Sequence, residues 1–184
     1  ADHNLIKKNE ESLYAEKILY LPKIWNTYSR PAELPPINYP TKKDSLLFSY
    51  GSFNNFKKIS GDTIEVWSKI IKNSNSQIYL KNPQENASLD LKENIIKKFT
   101  DSGVQKNKII FLETEKNTYE HLNLYNKIDL ALDTFPWPGV TTSFESVLMG
   151  VPVLTMKGYN LNSRCGESIN INLKMENFIG KNKN

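Results

Sequence analysis

Cysteine is almost missing from this sequence: Cys165 is the only one in 184 residues. A lone cysteine rules out an internal disulfide framework, and a reducing, cytoplasmic setting is the expectation. Histidine is scarce too. His3 and His121, with one cysteine, cannot make a zinc site of familiar spacing. There is no Asp-x-Asp pair to hold a divalent metal beside a diphosphate. The stretch "YGSFNNF" has only Gly51, so the glycine-rich dinucleotide fingerprint is absent, and no Walker-type loop occurs. No apolar window approaches the ~20 residues of a membrane span. No basic-then-apolar stretch of the signal-peptide kind opens the sequence. A phosphate ester bound here has to be neutralised by lysine and backbone dipoles, without a metal.

What is present is a modestly apolar, basic chain. The hydrophobic fraction is 39%, the net charge +4 and the pI about 9.0. The length suits one domain with a full core. Lysines are scattered among asparagines and isoleucines, which reads as a solvated surface with a basic bias. Attraction of a small anion such as a nucleotide stays open. Nucleic acid is not expected as a partner, because no recognition motif accompanies the charge.

Residues 1–43 read as an extended leader. "LPKIWNTYSRPAELPPINYP" is too rich in proline and aromatics to be one regular element, and it is expected to pack on something. From residue 44 to 184 strands and helices alternate. "SLLFSY", "QIYLK", "KIIFLE", "DLALDT" and "VPVLTM" are strand candidates. "TIEVWSKIIKN" has helical spacing, with Ile64, Trp67, Ile70 and Ile71 on one face. "LDLKENIIKKFTDSG" is a helix closed by Gly103, and "NTYEHLNLYNKI" another. "TTSFESVLMG" is a helix expected to turn Phe144, Val147 and Leu148 inward, and "SRCGESINI" a last one. The alternation predicts an α/β fold: a Rossmann-like, mostly parallel sheet with helices on both faces. Ligands in such folds sit outside the carboxyl ends of the strands. The loops at those ends include "GSFNNFKK", "ETEKNTYEH" and "FPWPGVTT".

"FPWPGVTTSFE" has more than a strand-to-helix turn requires. A helix N-terminus has unpaired N–H groups and attracts phosphate. Gly139 permits close approach of the backbone, and Thr141 and Thr142 add hydroxyls. The alternative is a capping box, with Thr142 as N-cap and Glu145 three residues on. The prolines and Trp137 favour a shaped pocket. In "FNNFKK", Asn54, Asn55, Lys57 and Lys58 either bind a diphosphate or form an ordinary turn. His121 is expected to share a helical face with Tyr125 and Asp129, as a structural residue or as a ring beside a nucleoside. Asp133 is expected to tie down the loop after it. Arg164 faces an anion or braces a helix, and Cys165 is expected to be buried and inert.

These residues resemble a known family. "HLNLYNKIDLALDTFPWPGVTTSFESVLMGVPVLTMKGYNLNSR" is similar to the carboxyl-terminal catalytic lobe of O-GlcNAc transferase and its SPINDLY-type relatives. "YAEKILYLP" and "FSYGSFNNFKKIS" also look like family segments in the right order, so the likeness runs from about Tyr14 to Ser168. The resemblance implies the second, donor-binding lobe of a two-lobed, metal-independent GT-B glycosyltransferase. Residues 44–184 would be its nucleotide-sugar-binding domain, truncated at both ends relative to the family. The first lobe and tetratricopeptide repeats would lie upstream. It implies a nucleotide-sugar donor, UDP-GlcNAc, no other cofactor, and an acceptor protein modified on Ser or Thr. Alternatives are a GDP-fucose donor, an asparagine or carbohydrate acceptor, or a non-catalytic nucleotide-binding module.

Carried over residue by residue, Lys58 falls on the family's diphosphate lysine and Asn55 on a neighbouring amide. Thr141 and Thr142 fall on the pair that holds the diphosphate. Glu145 falls on an acidic residue that accepts from the ribose, and His121 on a histidine near the nucleoside. Gly139 and Val140 offer backbone at the same turn. Val140, Pro138, Leu124 and the loop "ETEKNT" depart from the family pattern. No catalytic residue is assigned within the chain.

Overall fold

Strand and helix alternate along the chain of the computed structural model, which describes residues 1–38, 47–83 and 86–183. In order come β1 (Phe48–Ser52), α1 (Gly61–Lys72), β2 (Ser76–Lys81), α2 (Leu89–Asp101), β3 (Ile109–Leu112) and α3 (Thr118–Asn123). Then follow β4 (Leu130–Leu132), α4 (Thr141–Leu148), β5 (Val153–Met156), α5 (Cys165–Asn172) and β6 (Ile179–Gly180). The sheet has six parallel strands in the order β3-β2-β1-β4-β5-β6. The expected α/β, Rossmann-like class is therefore the observed one. Strand order reverses between β1 and β4, and the crevice outside their carboxyl ends is the natural ligand site.

Each face of the sheet has its own core. Ile78 and Leu80 of β2 pack with Ile64, Trp67, Ile71, Ile95 and Phe99 of α1 and α2. Tyr79, pointing the other way, packs against Phe53, Leu122, Tyr125, Ile128 and Met149. This is the period-two alternation of a strand buried on both sides. Trp67, 2% exposed, and Ile71, fully buried, each contribute about 1.5–3 kcal/mol by leaving water. Helix α1 starts because Ser60 accepts from the Thr63 N–H (3.1 Å), and it stops with Lys69 and Lys72 in its last turn. Gly103 (φ 84°) follows α2 and Gly150 (φ 76°) follows α4, both in the left-handed region. Gly51 has another reason to be glycine: a Cβ there would meet Ile128 Cδ1 at 2.6 Å.

Several expectations need correction. Among the described residues there are six strands where five were expected. The two residues of β6 pair only with Thr155 and Met156 and are too few to leave a periodic signal. Ser45 and Leu46 of the first strand candidate lie outside the described residues, as do residues 39–43 of the leader. The helix expected through Ile128 is α3 followed by a 3-10 turn, Leu124–Lys127. His121 and Tyr125 still meet, edge to face at 5.8 Å. Asp129 instead accepts from the Ser49 N–H (2.8 Å) on β1.

Helix α4 does not turn Phe144, Val147 and Leu148 fully inward. Its buried residues are Ser143, Glu145 and Ser146. Polar partners explain the rotation: Ser146 Oγ donates to Val151 O (2.9 Å), while Phe144 stacks on Tyr28 of the leader, ring centroids 6.2 Å apart. The leader is thus part of the domain's packing. Leu5 and Ile6 are buried, and Asp2 accepts from Ser168 Oγ (2.6 Å) and the Trp25 N–H (3.1 Å). Arg164 donates to Glu10 Oε1 (2.7 Å), Leu5 O (3.2 Å) and Tyr159 O (3.0 Å), so it braces the leader. Cys165 is buried, and burial pushes its thiol up to about 11, as an inert cysteine requires.

Candidate functional site

The switch point is organised around one carboxylate. Asp133 leaves β4 almost fully buried. Its Oδ1 accepts from the Thr134 N–H (2.9 Å), the Gly139 N–H (2.6 Å) and Asn54 Nδ2 (3.2 Å). Its Oδ2 accepts from Thr155 Oγ1 (2.8 Å). Burial raises its pKa to about 6, against the opposing pull of these hydrogen bonds and of Lys58. Asp133 thereby folds the loop after β4 back on itself, as expected. The loop is fastened again where Ser60 Oγ (3.1 Å) and Thr63 Oγ1 (2.9 Å) donate to Phe135 O, and where Thr134 Oγ1 donates to Trp137 O (2.7 Å). The Phe135–Pro136 peptide is cis.

Gly139 is a glycine for want of space. A Cβ there would lie 2.5 Å from Thr142 Oγ1, 2.7 Å from Asn54 Oδ1 and 2.9 Å from Ser143 Oγ. It packs beneath the site rather than lining it. Trp137 is 61% exposed and does not line the cleft at the switch point; what the loop presents to Lys58 is backbone. Pro138 O accepts from Lys58 Nζ (3.0 Å), and that lysine's half-buried ammonium has its pKa lowered by burial.

The capping-box alternative fails at α4. The N-cap is Val140, and no side chain caps the helix. Thr142 Oγ1 donates to Asn54 Oδ1 (2.8 Å), and the Glu145 carboxylate points elsewhere. The N–H groups of the first turn are therefore left to whatever occupies the cleft in front of them. Asn55 faces that cleft too, but its Oδ1 accepts from the Lys57 N–H (2.9 Å), capping the short turn that presents Lys58.

Glu145 is the second buried carboxylate. Oε2 accepts from Tyr125 Oη (3.1 Å) and meets His121 Nε2 (3.0 Å), while Oε1 has a long contact to Tyr28 Oη (3.5 Å). A carboxylate only accepts, so the Nε2 of His121 bears the proton. Nδ1 of the same ring is buried and has no partner among the described residues. Burial, then the Glu145 charge, raises the pKa of both tyrosines.

Asn54, Asn55, Lys58, Pro83, His121, Val140, Thr141, Thr142 and Glu145 enclose one open cleft of about 490 Å³, a volume suited to a small molecule. Every residue carried over from the family resemblance lines it except Gly139, whereas Lys57 and Arg164, which the sequence also offered for an anion, do not. Four residues at or just beneath it were not carried over from the family resemblance. Asn54 was seen only as half of an amide pair. Pro83 follows β2, Tyr28 comes from the leader, and Tyr125 could have been found from its helical spacing to His121. Among the described residues no cluster of acidic, histidine or cysteine side chains could hold a metal ion. No helix among them is long and apolar enough to cross a membrane.

Comparison with known proteins adds an independent line. Residues 37–184 match the model of glycosyl transferase family 41. Over 171 residues the chain is 27% identical to a probable UDP-N-acetylglucosamine–peptide N-acetylglucosaminyltransferase SPINDLY of Eustoma exaltatum subsp. russellianum. That match covers 92% of this chain and 18% of the relative. A UDP-N-acetylglucosamine–peptide N-acetylglucosaminyltransferase of Caenorhabditis elegans is 27% identical over 147 residues, 79% of this chain and 12% of its own length. Among solved structures, the K341M mutant of Thermobaculum terrenum O-GlcNAc transferase superposes with a TM-score of 0.87 at 25% identity. It covers 99% of this chain, which spans 34% of that one. The chain thus corresponds to less than a fifth of these curated relatives.

Proposed function

This chain belongs to glycosyl transferase family 41, and from that premise we propose that it is the donor-binding half of a protein glycosyltransferase. In this reading it holds a UDP-sugar, UDP-GlcNAc, whose sugar is moved to Ser or Thr of an acceptor protein. The observation that carries the proposal is the uncapped start of α4 facing Lys58 across the cleft at the switch point. The relatives, named as UDP-N-acetylglucosamine–peptide N-acetylglucosaminyltransferases, support the choice of donor.

The chemistry follows from the charges. Departure of the sugar leaves negative charge on the diphosphate. A helix N-terminus supplies roughly half a positive charge, and Thr141 and Thr142 add hydroxyl donors. Lys58 adds a full charge once it exchanges Pro138 O for a phosphate oxygen. Donors fixed in advance stabilise a leaving group without reorganisation, and one such donor is typically worth about 2.7–4 kcal/mol of barrier. With these groups the diphosphate needs no metal. Glu145 receives the ribose hydroxyls on Oε1, and His121 lies beside the nucleoside. Acceptor positioning falls to an upstream lobe, so this half alone binds a nucleotide and transfers nothing.

The test is isothermal titration of the chain with UDP, GDP and ADP, each with and without EDTA. UDP should bind tightest, and EDTA should change nothing. Tighter GDP binding would move the donor to a GDP-sugar. A large loss on adding EDTA would refute the metal-independent reading, and no binding at all would refute the nucleotide site.

A further inference from the structure

A second cleft opens on the same rim as the first. It lies outside the carboxyl ends of β4, β5 and β6 and has a volume of about 440 Å³. The segment from Asp133 to Val140 separates the two. Phe135 and Pro136 of that segment line the second cleft, Pro138 O accepts from Lys58 Nζ (3.0 Å), and Val140 lines the first. Whatever occupies the second cleft therefore lies beside the place proposed for the diphosphate and its sugar.

The lining of this cleft is apolar and basic together. Phe135, Pro136 and Met156 supply apolar surface. Lys157 follows β5 and Lys181 follows β6; both are exposed, and neither has an acidic partner among the described residues. The acidic side chain in the lining, Asp62, is already taken by Lys183 Nζ (2.6 Å). Tyr159 is 70% exposed, yet its backbone is fixed. Its N–H and that of Asn160 donate to Ser163 Oγ (2.8 and 2.9 Å), and its carbonyl accepts from Arg164 Nη2 (3.0 Å). The Gly158 N–H donates to Glu167 Oε2 (3.0 Å), and a Cβ on that glycine would lie 2.4 Å from the carbonyl carbon of Ser163. An aromatic ring shown to water on a loop held this firmly loses little freedom when a partner covers it. Tyrosine is also among the residues that dominate interfaces.

Resting on the donor-site reading, we propose that the second cleft docks a short acidic stretch of the acceptor polypeptide beside the bound nucleotide-sugar. Lys157 and Lys181 answer its carboxylates, Phe135 and Met156 take an apolar side chain, and Tyr159 packs over it. Charge complementarity selects the partner, because the cleft offers two free ammoniums and no free carboxylate. A nucleic acid fits less well: two lysines neutralise few phosphates, and no recognition motif accompanies them. The reacting hydroxyl is still placed by the upstream lobe, while this surface holds the residues that flank it.

The experiment is fluorescence anisotropy on the whole chain with saturating UDP, beside UDP titration and thermal melting of each variant. The probe is a labelled peptide of alternating glutamate and leucine around one serine. It should bind, and bind more weakly as salt rises. Its affinity should fall by about fivefold or more in the double variant Lys157→Gln, Lys181→Gln and again in Tyr159→Ser, the scale of an interface residue that matters. UDP affinity and melting temperature should stay at the parent's values, since these side chains are exposed and outside the first cleft. Equal binding of a peptide with lysine in place of glutamate would overturn the proposal. So would parent-like peptide affinity in the variants, or tighter binding of a single-stranded oligouridylate. A parent that binds UDP but not the acidic peptide would overturn it while leaving the nucleotide site intact. A parent that binds the peptide but neither UDP nor GDP would remove the donor site, and the acceptor role with it.

Discussion

Asp133 gives a test in which two opposing effects can be weighed. Its carboxylate accepts from Thr134, Gly139, Asn54 and Thr155, yet burial still raises its pKa from 3.8 to about 6. The native state therefore holds this proton more tightly than the unfolded chain does. Between pH 3.8 and about 6 the native state binds more protons, so stability falls as pH rises through that window. At about 1.4 kcal/mol per tenfold, full ionisation costs roughly 3 kcal/mol. Asp133→Asn mimics the neutral acid. Its carbonyl oxygen keeps the three donors at Oδ1, and its amide faces Thr155, whose hydroxyl turns to accept. The variant should match the parent at pH 4 and exceed it by about 3 kcal/mol at pH 7.5, a gain of several degrees in melting temperature. Asp133→Ala should behave oppositely, because it strands four buried donors at about 1–3 kcal/mol each. The assay is urea denaturation of all three proteins from pH 4 to 7.5. A parent curve flat across that range, or an Asn variant less stable than the parent at pH 7.5, would refute the reasoning.

Gly139→Ala should lower stability by about 1–3 kcal/mol, because its Cβ collides with Thr142, Asn54 and Ser143, and it should weaken UDP binding as α4 is pushed aside; melting and titration check both. Glu10 is held down at about 2, chiefly by its hydrogen bonds from Arg164. Its contribution is present above its ordinary 4.5 and is lost as pH falls through about 2, so acid should free the leader. Limited proteolysis should show cleavage before Tyr28 at pH 2 in the parent, and already at pH 7 in Glu10→Gln.

Much of the fold was legible because buried parallel strands and amphipathic helices impose strong patterns. The run "QIYLK" and the spacing of Ile64, Trp67 and Ile71 could hardly form anything else. What pattern could not reveal were features set by long-range partners. The rotation of α4 is decided by Tyr125, His121 and Val151, so a local count of apolar residues misplaced Phe144 and Leu148. "TTSFE" looks like a capping box until Asn54, 88 positions away in sequence, takes the Thr142 hydroxyl. The cleft residues were found chiefly through the family resemblance, with Lys58 and the threonines supported by their chemistry.

The most direct test of a diphosphate held between Lys58 and the start of α4 is UDP titration of the parent beside Lys58→Met. The methionine keeps the half-buried stem and loses the charge and the hydrogen bond to Pro138 O. Affinity should fall by about 1.5–3 kcal/mol, the scale of a charge-assisted hydrogen bond, or roughly 10- to 150-fold. The melting temperature should move by no more than about 4 °C, as expected for loss of a single loop contact. Equal UDP affinity in the two proteins would contradict the assignment and take Lys58 out of the site.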